Sequence, residues 1–279
     1  MMDRQTAART AEETIAIIRE GSYRNRRGEV IELGGALERS VRDAILYSPA
    51  DGDRCLAEAN LAESFRTKIE VTPETTLQAA GRLAGEGRSV CCLNFASARQ
   101  PGGGFLNGAR AQEESLARSS GLYPTIVQMT EMYEENARVN TCLYTDYMIY
   151  SPEVPVFRED GGELLDRPYS ISVITAPAVN AGVVRDREPE NAGRIREVMT
   201  RRIEKIAAVA LANGQTSMIL GTFGCGVFKN DPEEVASIFR EVLQSDRWRD
   251  AFEYVVFAVY DTTPKKRVYE SFRRALGTC

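Results

Sequence analysis

Histidine is absent from this chain of 279 residues. Its absence excludes Ser-His-Asp and Cys-His nucleophilic sites, together with every metal site that depends on imidazole. General acid–base chemistry must then use Asp, Glu, Lys or Tyr. The six cysteines include no C-x-x-C pair, so they are most simply interpreted as buried thiols.

Long apolar runs are also absent, and none approaches the roughly 20 residues that a membrane helix needs. The N-terminal residues, Met1 to Ala11, are polar and lack the apolar core of a secretory signal. These features predict a cytoplasmic protein that does not bind membranes.

The formal net charge is −5, which argues against a general nucleic-acid coat protein. We therefore expect no sequence-specific nucleic-acid partner. Two groups of arginines stand out nevertheless. The group near residue 26 is most simply a solvated face, and the other leaves room for a local basic patch. The groups are Arg24, Arg26 and Arg27, and Arg99, Arg110 and Arg118.

Three consecutive glycines, Gly102 to Gly104, form the most informative stretch of the chain. Seven residues separate them from Gln112-Glu113-Glu114, which reads as the first turn of a helix. Consecutive glycines let the backbone approach a ligand closely and present only N–H groups to it. Because histidine is absent, the two adjacent carboxylates are the main candidates for acid–base chemistry.

A second glycine-rich loop covers Gly221 to Phe228, between a predicted strand and a helix that begins at Asp231. Small residues in succession let backbone N–H groups converge on phosphate oxygens, and the following helix N-terminus adds a favourable dipole. Neither loop matches G-x-x-x-x-G-K-[ST], and the dinucleotide fingerprint G-x-G-x-x-G is missing from the first strand–helix turn. Two such loops at strand ends favour a phosphate or diphosphate site.

The pattern of apolar residues predicts an α/β protein in which short strands alternate with helices. Residues 1–65 are expected to form an N-terminal helical extension packed on a catalytic core of residues 66–279. The predicted elements of the extension are two helices, from Thr6 to Arg19 and from Ala36 to Tyr47, and a strand at Val30–Leu33. The core should contain six strands, namely Lys68–Val71, Val90–Phe95, Tyr147–Tyr150, Ile171–Ala176, Met218–Gly221 and Tyr254–Tyr260. Its predicted helices are Pro73–Ala84 with a cap at Thr72, one from Gln112, Asn191–Ala212 and one from Asp231.

The triple glycine and its spacing to Gln112-Glu113-Glu114 resemble the signature of poly(ADP-ribose) glycohydrolases, particularly the bacterial type. The resemblance extends from about Thr14 to Ala258. It includes Asn94-Phe95-Ala96-Ser97, Thr175-Ala176-Pro177-Ala178 and the Gly224–Phe228 loop. It implies a macrodomain, a three-layer α/β/α sandwich with a mixed, largely parallel six-stranded sheet.

The resemblance also implies an activity and a set of site residues. The enzyme would cleave the ribose–ribose O-glycosidic bonds of poly(ADP-ribose) and release ADP-ribose, with Glu114 as acid and then base and Glu113 holding the ribose. It would need no cofactor and no metal. The substrate-binding residues it implies are Asn94, Ser97, Gly102, Gly103, Gly104, Asn107, Gln112, Thr222, Gly224, Cys225, Gly226, Val227, Phe228 and Tyr260. Animal members of the family carry Asp and Asn at the positions of Asn94 and Ser97.

Several alternatives stay open on the sequence alone. Phe228 could equally anchor its loop in the core, Asn107 could simply occupy a turn, and Asp261 beside Tyr260 could reach adenine. The chain could also be a macrodomain that only binds ADP-ribose, or a hydrolase of another ADP-ribosyl linkage. We expect ADP-ribose and its polymer as ligands, ADP-ribosylated proteins as further partners, and a monomer.

Overall fold

The computed structural model describes residues 2–59 and 64–277, which form a layered α/β structure. Two short strands pair with each other, and seven others make the central sheet. The short pair is β1 (Ser22–Arg24) and β2 (Val30–Glu32). The central strands are β3 (Ile45–Tyr47), β4 (Lys68–Thr72), β5 (Cys91–Phe95), β6 (Met148–Arg158), β7 (Leu164–Ala176), β8 (Ser217–Gly221) and β9 (Tyr254–Ala258).

Eleven α-helices connect these strands within the described part of the chain. They are α1 (Arg4–Glu20), α2 (Gly34–Arg42), α3 (Pro49–Glu58), α4 (Thr76–Gly85), α5 (Gln112–Ser119), α6 (Leu122–Val127), α7 (Thr130–Arg138), α8 (Ala181–Arg187), α9 (Ile195–Ala212), α10 (Pro232–Gln244) and α11 (Arg267–Leu276). Short 3-10 turns occupy Phe105–Asn107 and Pro189–Arg194. None of the helices described combines the length and the hydropathy needed to cross a membrane.

The central sheet is mixed and mostly parallel, with the strand order β3-β6-β7-β5-β8-β9-β4. The pairs β7/β5, β5/β8, β8/β9 and β9/β4 are parallel, whereas β3/β6 and β6/β7 are antiparallel. The carboxyl ends of β5, β8 and β9 therefore lie along one edge of the sheet. In open α/β sheets this edge is where ligands bind.

Helices cover both faces of the sheet, as in a three-layer α/β/α sandwich. Apolar side chains of α9, α10 and α11 pack on one face, together with the buried Trp248. Side chains of α4, α5, α6 and α7 pack on the other face. Helix α1 lies outside this second layer and packs against α5 and the 3-10 turn at Phe105–Asn107.

The predicted count of six strands was wrong, because residues 2–59 and 64–277 form a main sheet of seven. The additional strand is β3, which lies inside the region predicted as a helix from Ala36 to Tyr47. The helix ends at Arg42, and Ile45-Leu46-Tyr47, with a β-branched and an aromatic residue, pair with β6 as the edge strand of the sheet. The segment before residue 65 thus contributes a strand to the main sheet, and the division at residue 65 stays a prediction.

Two predicted helix starts also need correction. Helix α4 begins at Thr76 and not at Pro73, because Thr75 and Gln78 form a reciprocal capping box. Helix α9 begins at Ile195, since residues 189–194 form a 3-10 turn. The predicted start at Asp231 is confirmed, because its carboxylate accepts from the backbone N–H groups of the first helical turn.

Candidate active site

The two glycine loops follow β5 and β8, which are neighbours in the sheet. The ladder between these strands ends at Cys92 and Ile219, although β5 continues to pair with β7 as far as Phe95. The strands therefore diverge before their carboxyl ends. The rings of Phe95 and Phe223 lie 5.9 Å apart between the two loops, so the loops border one shared crevice.

Gln112 attaches the first turn of α5 to the end of β5. Its Oε1 accepts from the Phe95 N–H at 2.9 Å, and its Nε2 donates to the Leu93 carbonyl at 2.8 Å and to Thr76 Oγ1 at 3.2 Å. These bonds use both ends of the amide. The structure thus places the predicted substrate-binding side chain of Gln112 beneath the site, where it positions the two residues that follow.

Glu113 is 3% exposed and is held by two donors. Its Oε2 accepts from the Ser97 N–H at 2.7 Å, and its Oε1 accepts from Asn94 Nδ2 at 3.4 Å. Burial raises the pKa of the Glu113 carboxyl to about 8; the Ser97 N–H and Asn94 oppose this shift, and the adjacent Glu114 adds to it. Proximity to the N-terminus of α5 favours the charged form, but burial outweighs it.

Glu114 lies against the triple glycine and is 8% exposed. Its Oε1 accepts from the Gly104 N–H at 3.0 Å. Its Oε2 is buried and has no hydrogen-bond partner in the described part of the protein. A buried polar atom costs free energy while it stays unpartnered, so a hydrogen bond from a ligand to this oxygen would be favourable.

The close approach of the carboxylates explains why glycine is needed at position 103. A Cβ at Gly103 would overlap with Glu114 Oε1 and would lie 3.0 Å from Glu113 Oε2. The residue also has a φ of +57°, in the left-handed region. The predicted cradle is therefore a backbone turn that wraps around the two acids.

Asn94 and Ser97, which were predicted to lie at the ribose end of the pocket, both contact Glu113. Asn94 is fully buried, and its Nδ2 also donates to Thr175 Oγ1 at 3.2 Å, while its Oδ1 has no partner among the described residues. The Ser97 hydroxyl accepts from the Gln100 N–H at 3.2 Å and shapes the start of the loop. Thr175 belongs to the strand-end segment Thr175–Ala178 named above.

The second loop is built around Gly224 and Asn230. Asn230 is 4% exposed, and its Nδ2 donates to the Val179 carbonyl at 2.7 Å and to the Gly224 carbonyl at 3.1 Å. Gly224 has a φ of +74°, and a Cβ there would meet the Asn230 amide. Across residues 2–59 and 64–277, no acceptor is found for the N–H groups of Gly224, Gly226, Val227 and Phe228. These free donors suit an anionic ligand.

The ring of Phe228 is part of an aromatic group that sequence reasoning missed. Its centroid lies 5.9 Å from that of Tyr144, and the guanidinium carbon of Arg99 lies 5.9 Å from the Tyr144 centroid. Tyr144 has a φ of +59°, which is rare for a residue with a side chain. No local pattern in the sequence signals this conformation or the contact.

The remaining predicted residues lie at the margins of the site or have other partners. Asn107 is exposed in the 3-10 turn, and its carbonyl accepts from Arg4 Nε at 3.0 Å. Tyr260 is 56% exposed beyond β9. The Asp261 carboxylate accepts from N–H groups at the start of α11, such as that of Val268, which accounts for it without a ligand. Burial raises the pKa of the Cys225 thiol to about 12, which favours the neutral thiol over the nucleophilic thiolate.

Thr222 begins the turn of the second loop, since its carbonyl accepts from the Cys225 N–H at 2.9 Å. Gly102 lies under the first loop, with a φ of +69° and no room for a side chain beside Phe105 and Tyr123. Within the two described ranges, no three Cys, Asp or Glu side chains are arranged to hold a metal ion.

These features define a macrodomain-like α/β protein that has a buried carboxyl pair and two glycine loops at one sheet edge. Residues 11–159 match the family model described as the catalytic domain of microbial-type PARG. A comparison with curated proteins finds no match. Similar solved structures show the same family independently.

Poly(ADP-ribose) glycohydrolase from Thermomonospora curvata is 42% identical, with a TM-score of 0.94 over 98% of this chain and 100% of that one. The same enzyme bound to the inhibitor ADP-HPD has a TM-score of 0.91, with 42% identity over 97% of this chain and 99% of that one. The Deinococcus radiodurans enzyme in complex with ADP-ribose has a TM-score of 0.82, at 42% identity, over 88% and 98% of the two chains.

The chain therefore belongs to the microbial-type poly(ADP-ribose) glycohydrolase family. It is a glycosidase that hydrolyses poly(ADP-ribose). The predictions of family and of enzyme class are confirmed.

Proposed function

We propose that Glu114 is the general acid and base of this hydrolysis. Its carboxyl proton passes to the glycosidic oxygen as the bond from that oxygen to the ribose C1″ breaks. The electron pair of the bond leaves with the oxygen, and the ribose becomes oxocarbenium-like. The Glu114 carboxylate then takes a proton from water as the water oxygen bonds to C1″. The unpartnered, buried Oε2 carries this proposal, because it is the carboxyl oxygen with no competing contact.

Glu113 is assigned a different role, which is to hold the ribose. Its two oxygens already accept from Ser97 and Asn94, so its orientation is set by the scaffold. A protonated carboxyl can donate to a ribose hydroxyl, and the raised pKa supports that form at neutral pH. Because Glu113 holds the ribose, Glu114 is left free for proton transfer.

The second loop is assigned to the diphosphate of ADP-ribose. Four N–H groups between Gly224 and Phe228 lack acceptors in the described part of the chain. Backbone N–H groups that converge in a loop of small residues bind phosphate oxygens well. The D. radiodurans enzyme, solved in complex with ADP-ribose, and the T. curvata enzyme, solved with the inhibitor ADP-HPD, support a ligand of this class. Phe228 and Tyr144 supply apolar surface beside it.

Residues 1–65 are proposed to be an extension that packs on the catalytic core. The buried face of α1, which includes Ala7 and Ala11, lies against the 3-10 turn and α5. The Thr14 hydroxyl donates to the Arg118 carbonyl at 2.6 Å, which attaches α1 to the helix that carries both acids. Helix α1 thereby supports the site from outside the sheet.

Glu114→Gln tests the assignment of the acid. The amide keeps the size of the side chain but cannot transfer a proton, so turnover of labelled poly(ADP-ribose) should be abolished. Binding of ADP-ribose, measured by calorimetry, should stay within a few-fold of that of the wild type. Turnover close to the wild-type rate would exclude Glu114 as the acid.

Products resolved by length answer a second question in the same assay. Monomeric ADP-ribose alone indicates cleavage from chain ends, and oligomers indicate cleavage inside the chain. The same assay with ADP-ribosylated protein as substrate tests whether another ADP-ribosyl linkage is cleaved.

A further inference from the structure

Two exposed arginines flank the outer side of the triple-glycine loop, and neither has a role in the site described so far. Arg110 lies two residues before α5, and Arg4 begins α1. Arg4 Nε donates to the Asn107 carbonyl at 3.0 Å, and Arg110 Nη1 donates to the Met2 carbonyl at 2.8 Å. Arg4 thus bonds to the loop that carries Arg110, and Arg110 bonds to the segment before α1, so the two side chains are kept on the same part of the surface.

Both guanidinium groups keep most of their donors free. Each makes one hydrogen bond to a carbonyl, and neither lies within 4.0 Å of a carboxylate oxygen in residues 2–59 and 64–277. The nearest acid along α1 is Asp3, whose carboxylate accepts from the N–H and the hydroxyl of Thr6. Two uncompensated cations at one exposed place in a chain of net charge −5 form a local anion-binding surface.

The position of this surface relates it to one end of the substrate. From the diphosphate loop at Gly224–Phe228, the crevice leads past Glu113 to Glu114, which lies against Gly104. The 3-10 turn that follows Gly104 ends at Asn107, whose carbonyl accepts from Arg4 Nε. A polymer whose terminal diphosphate occupies the second loop would extend past Glu114 in this direction. The unit on the leaving side of the broken bond carries the next diphosphate.

We propose that Arg4 and Arg110 bind the diphosphate of the ADP-ribose unit on the leaving-group side of the scissile bond. This inference rests on the proposed function, since it takes the ligand orientation from it. Two guanidinium groups with several free N–H donors match the oxygens of a diphosphate. The pair would hold long polymer in register without touching the reacting atoms.

Arg4→Gln and Arg110→Gln, singly and together, test the proposal in the full chain. The KM for long poly(ADP-ribose) should rise about three- to tenfold in the double variant at low salt, because contacts between cations and phosphate are lost. The kcat at saturating polymer and the Kd for free ADP-ribose should stay unchanged. The difference in KM should shrink at high salt, where screening already weakens the contact.

Controls separate charge from docking of the helix. Arg26→Gln removes the same charge from the β1–β2 turn and should leave KM as in the wild type. Arg4→Lys and Arg110→Lys keep the charge but lose the planar guanidinium, so they should restore part of the polymer affinity. An unchanged KM in the double variant, an equal loss of affinity for ADP-ribose, or no rescue by lysine would each overturn the proposal.

The outcome is distinguishable from failure of the proposed function. If Glu114→Gln keeps its turnover, the catalytic assignment fails whatever the arginine variants do. If Glu114→Gln is inactive while the double arginine variant behaves as the wild type, only the leaving-side site is wrong.

Discussion

Gly226 differs from the other glycines of the two loops, because no contact in the described part of the chain requires it. Within that part, a Cβ at this position would meet no atom within 4 Å, and its φ is outside the left-handed region. At Gly103 and Gly224, by contrast, neighbouring side chains and a positive φ exclude any larger residue. If Gly226 is needed, the reason must lie in a ligand that approaches its backbone.

Gly226→Ala should therefore affect binding and not folding. We expect the Kd for ADP-ribose and the KM for polymer to rise about tenfold or more, since the methyl group would keep the diphosphate from the free N–H groups of the loop. The free energy of unfolding should change by no more than about 0.5 kcal/mol. Calorimetry with ADP-ribose and urea unfolding measure the two effects.

Gly193→Ala is the matched control, because that glycine also has open space around it and no positive φ. It lies in the 3-10 turn before α9, away from both loops, and should leave binding unchanged. Wild-type affinity in the Gly226 variant would exclude close contact between this loop and the diphosphate.

At this scale the sequence predicted the residues of the site better than their partners. The two acids, the triple glycine and the second loop are all found at one sheet edge, because glycine and carboxylate patterns carry local information. Tyr144 and Asn230 were missed. Their contacts with Phe228 and Gly224 join segments far apart in the chain, and no spacing rule reports such contacts.

At the scale of elements, the attachment of α5 to β5 determines where the acids point. The Gln112 amide bonds to the Phe95 N–H and the Leu93 carbonyl, so it extends the edge of the strand with a side chain. Both bonds are at least partly buried. Their loss leaves backbone groups without partners, which costs more than an exposed hydrogen bond does.

Gln112→Leu should lower the free energy of unfolding by about 2 to 3 kcal/mol, because two backbone groups lose their partners. It should also reduce kcat at least tenfold, since Glu113 and Glu114 follow directly in the chain and lose their fixed orientation. Urea unfolding and initial rates on polymer at saturation measure these effects.

Gln78→Leu provides the comparison, because Gln78 also bonds to the backbone at a helix start, in the capping box of α4. Gln78→Leu should lower the free energy of unfolding by about 1 kcal/mol and leave kcat unchanged. Equal losses of kcat in both variants would show that the effect comes from general destabilisation.

Elements with strong local signals were predictable, and those that depend on partners were not. Asp231-Pro232 marks the start of α10, since capping and proline geometry are decided within a few residues. Strand β3 was mistaken for the end of a helix, because three residues of mixed pattern become a strand only beside β6. The hairpin of β6 and β7 is likewise longer than its apolar runs suggested.

At the scale of the whole molecule, a buried ionic network connects parts that no local pattern relates. Arg202 Nε lies 2.9 Å from Asp146 Oδ1, and Lys205 Nζ lies 2.8 Å from Asp146 Oδ2. Arg202 also donates to the carbonyls of Pro177 and Leu143 at 3.1 Å. One helix, α9, is thereby joined to the segments that follow α7 and β7, close to Tyr144.

Asp146→Asn should destabilise the protein by about 3 to 5 kcal/mol, because it leaves the buried Arg202 without a counter-charge and leaves Lys205 with only the half-exposed Asp53. The pH dependence should change as well. Burial raises the pKa of the Asp146 carboxyl, but Arg202 and Lys205 outweigh burial and hold it below its usual value of 3.8. A lowered pKa contributes stability that is present above pH 3.8 and is lost as pH falls through the lower value in the folded state.

The wild type should therefore lose this contribution on acidification below pH 3.8, and the Asp146→Asn variant has none to lose. Urea unfolding of both proteins at several pH values tests whether their free energies of unfolding converge as the pH falls.

Asp53→Asn is the matched control, because Asp53 also lies 3.0 Å from Lys205 Nζ but its side chain is 45% exposed. Screening should limit its cost to about 1 kcal/mol or less. Equal costs for the two variants would show that burial does not make the Asp146 network more important than a surface ion pair.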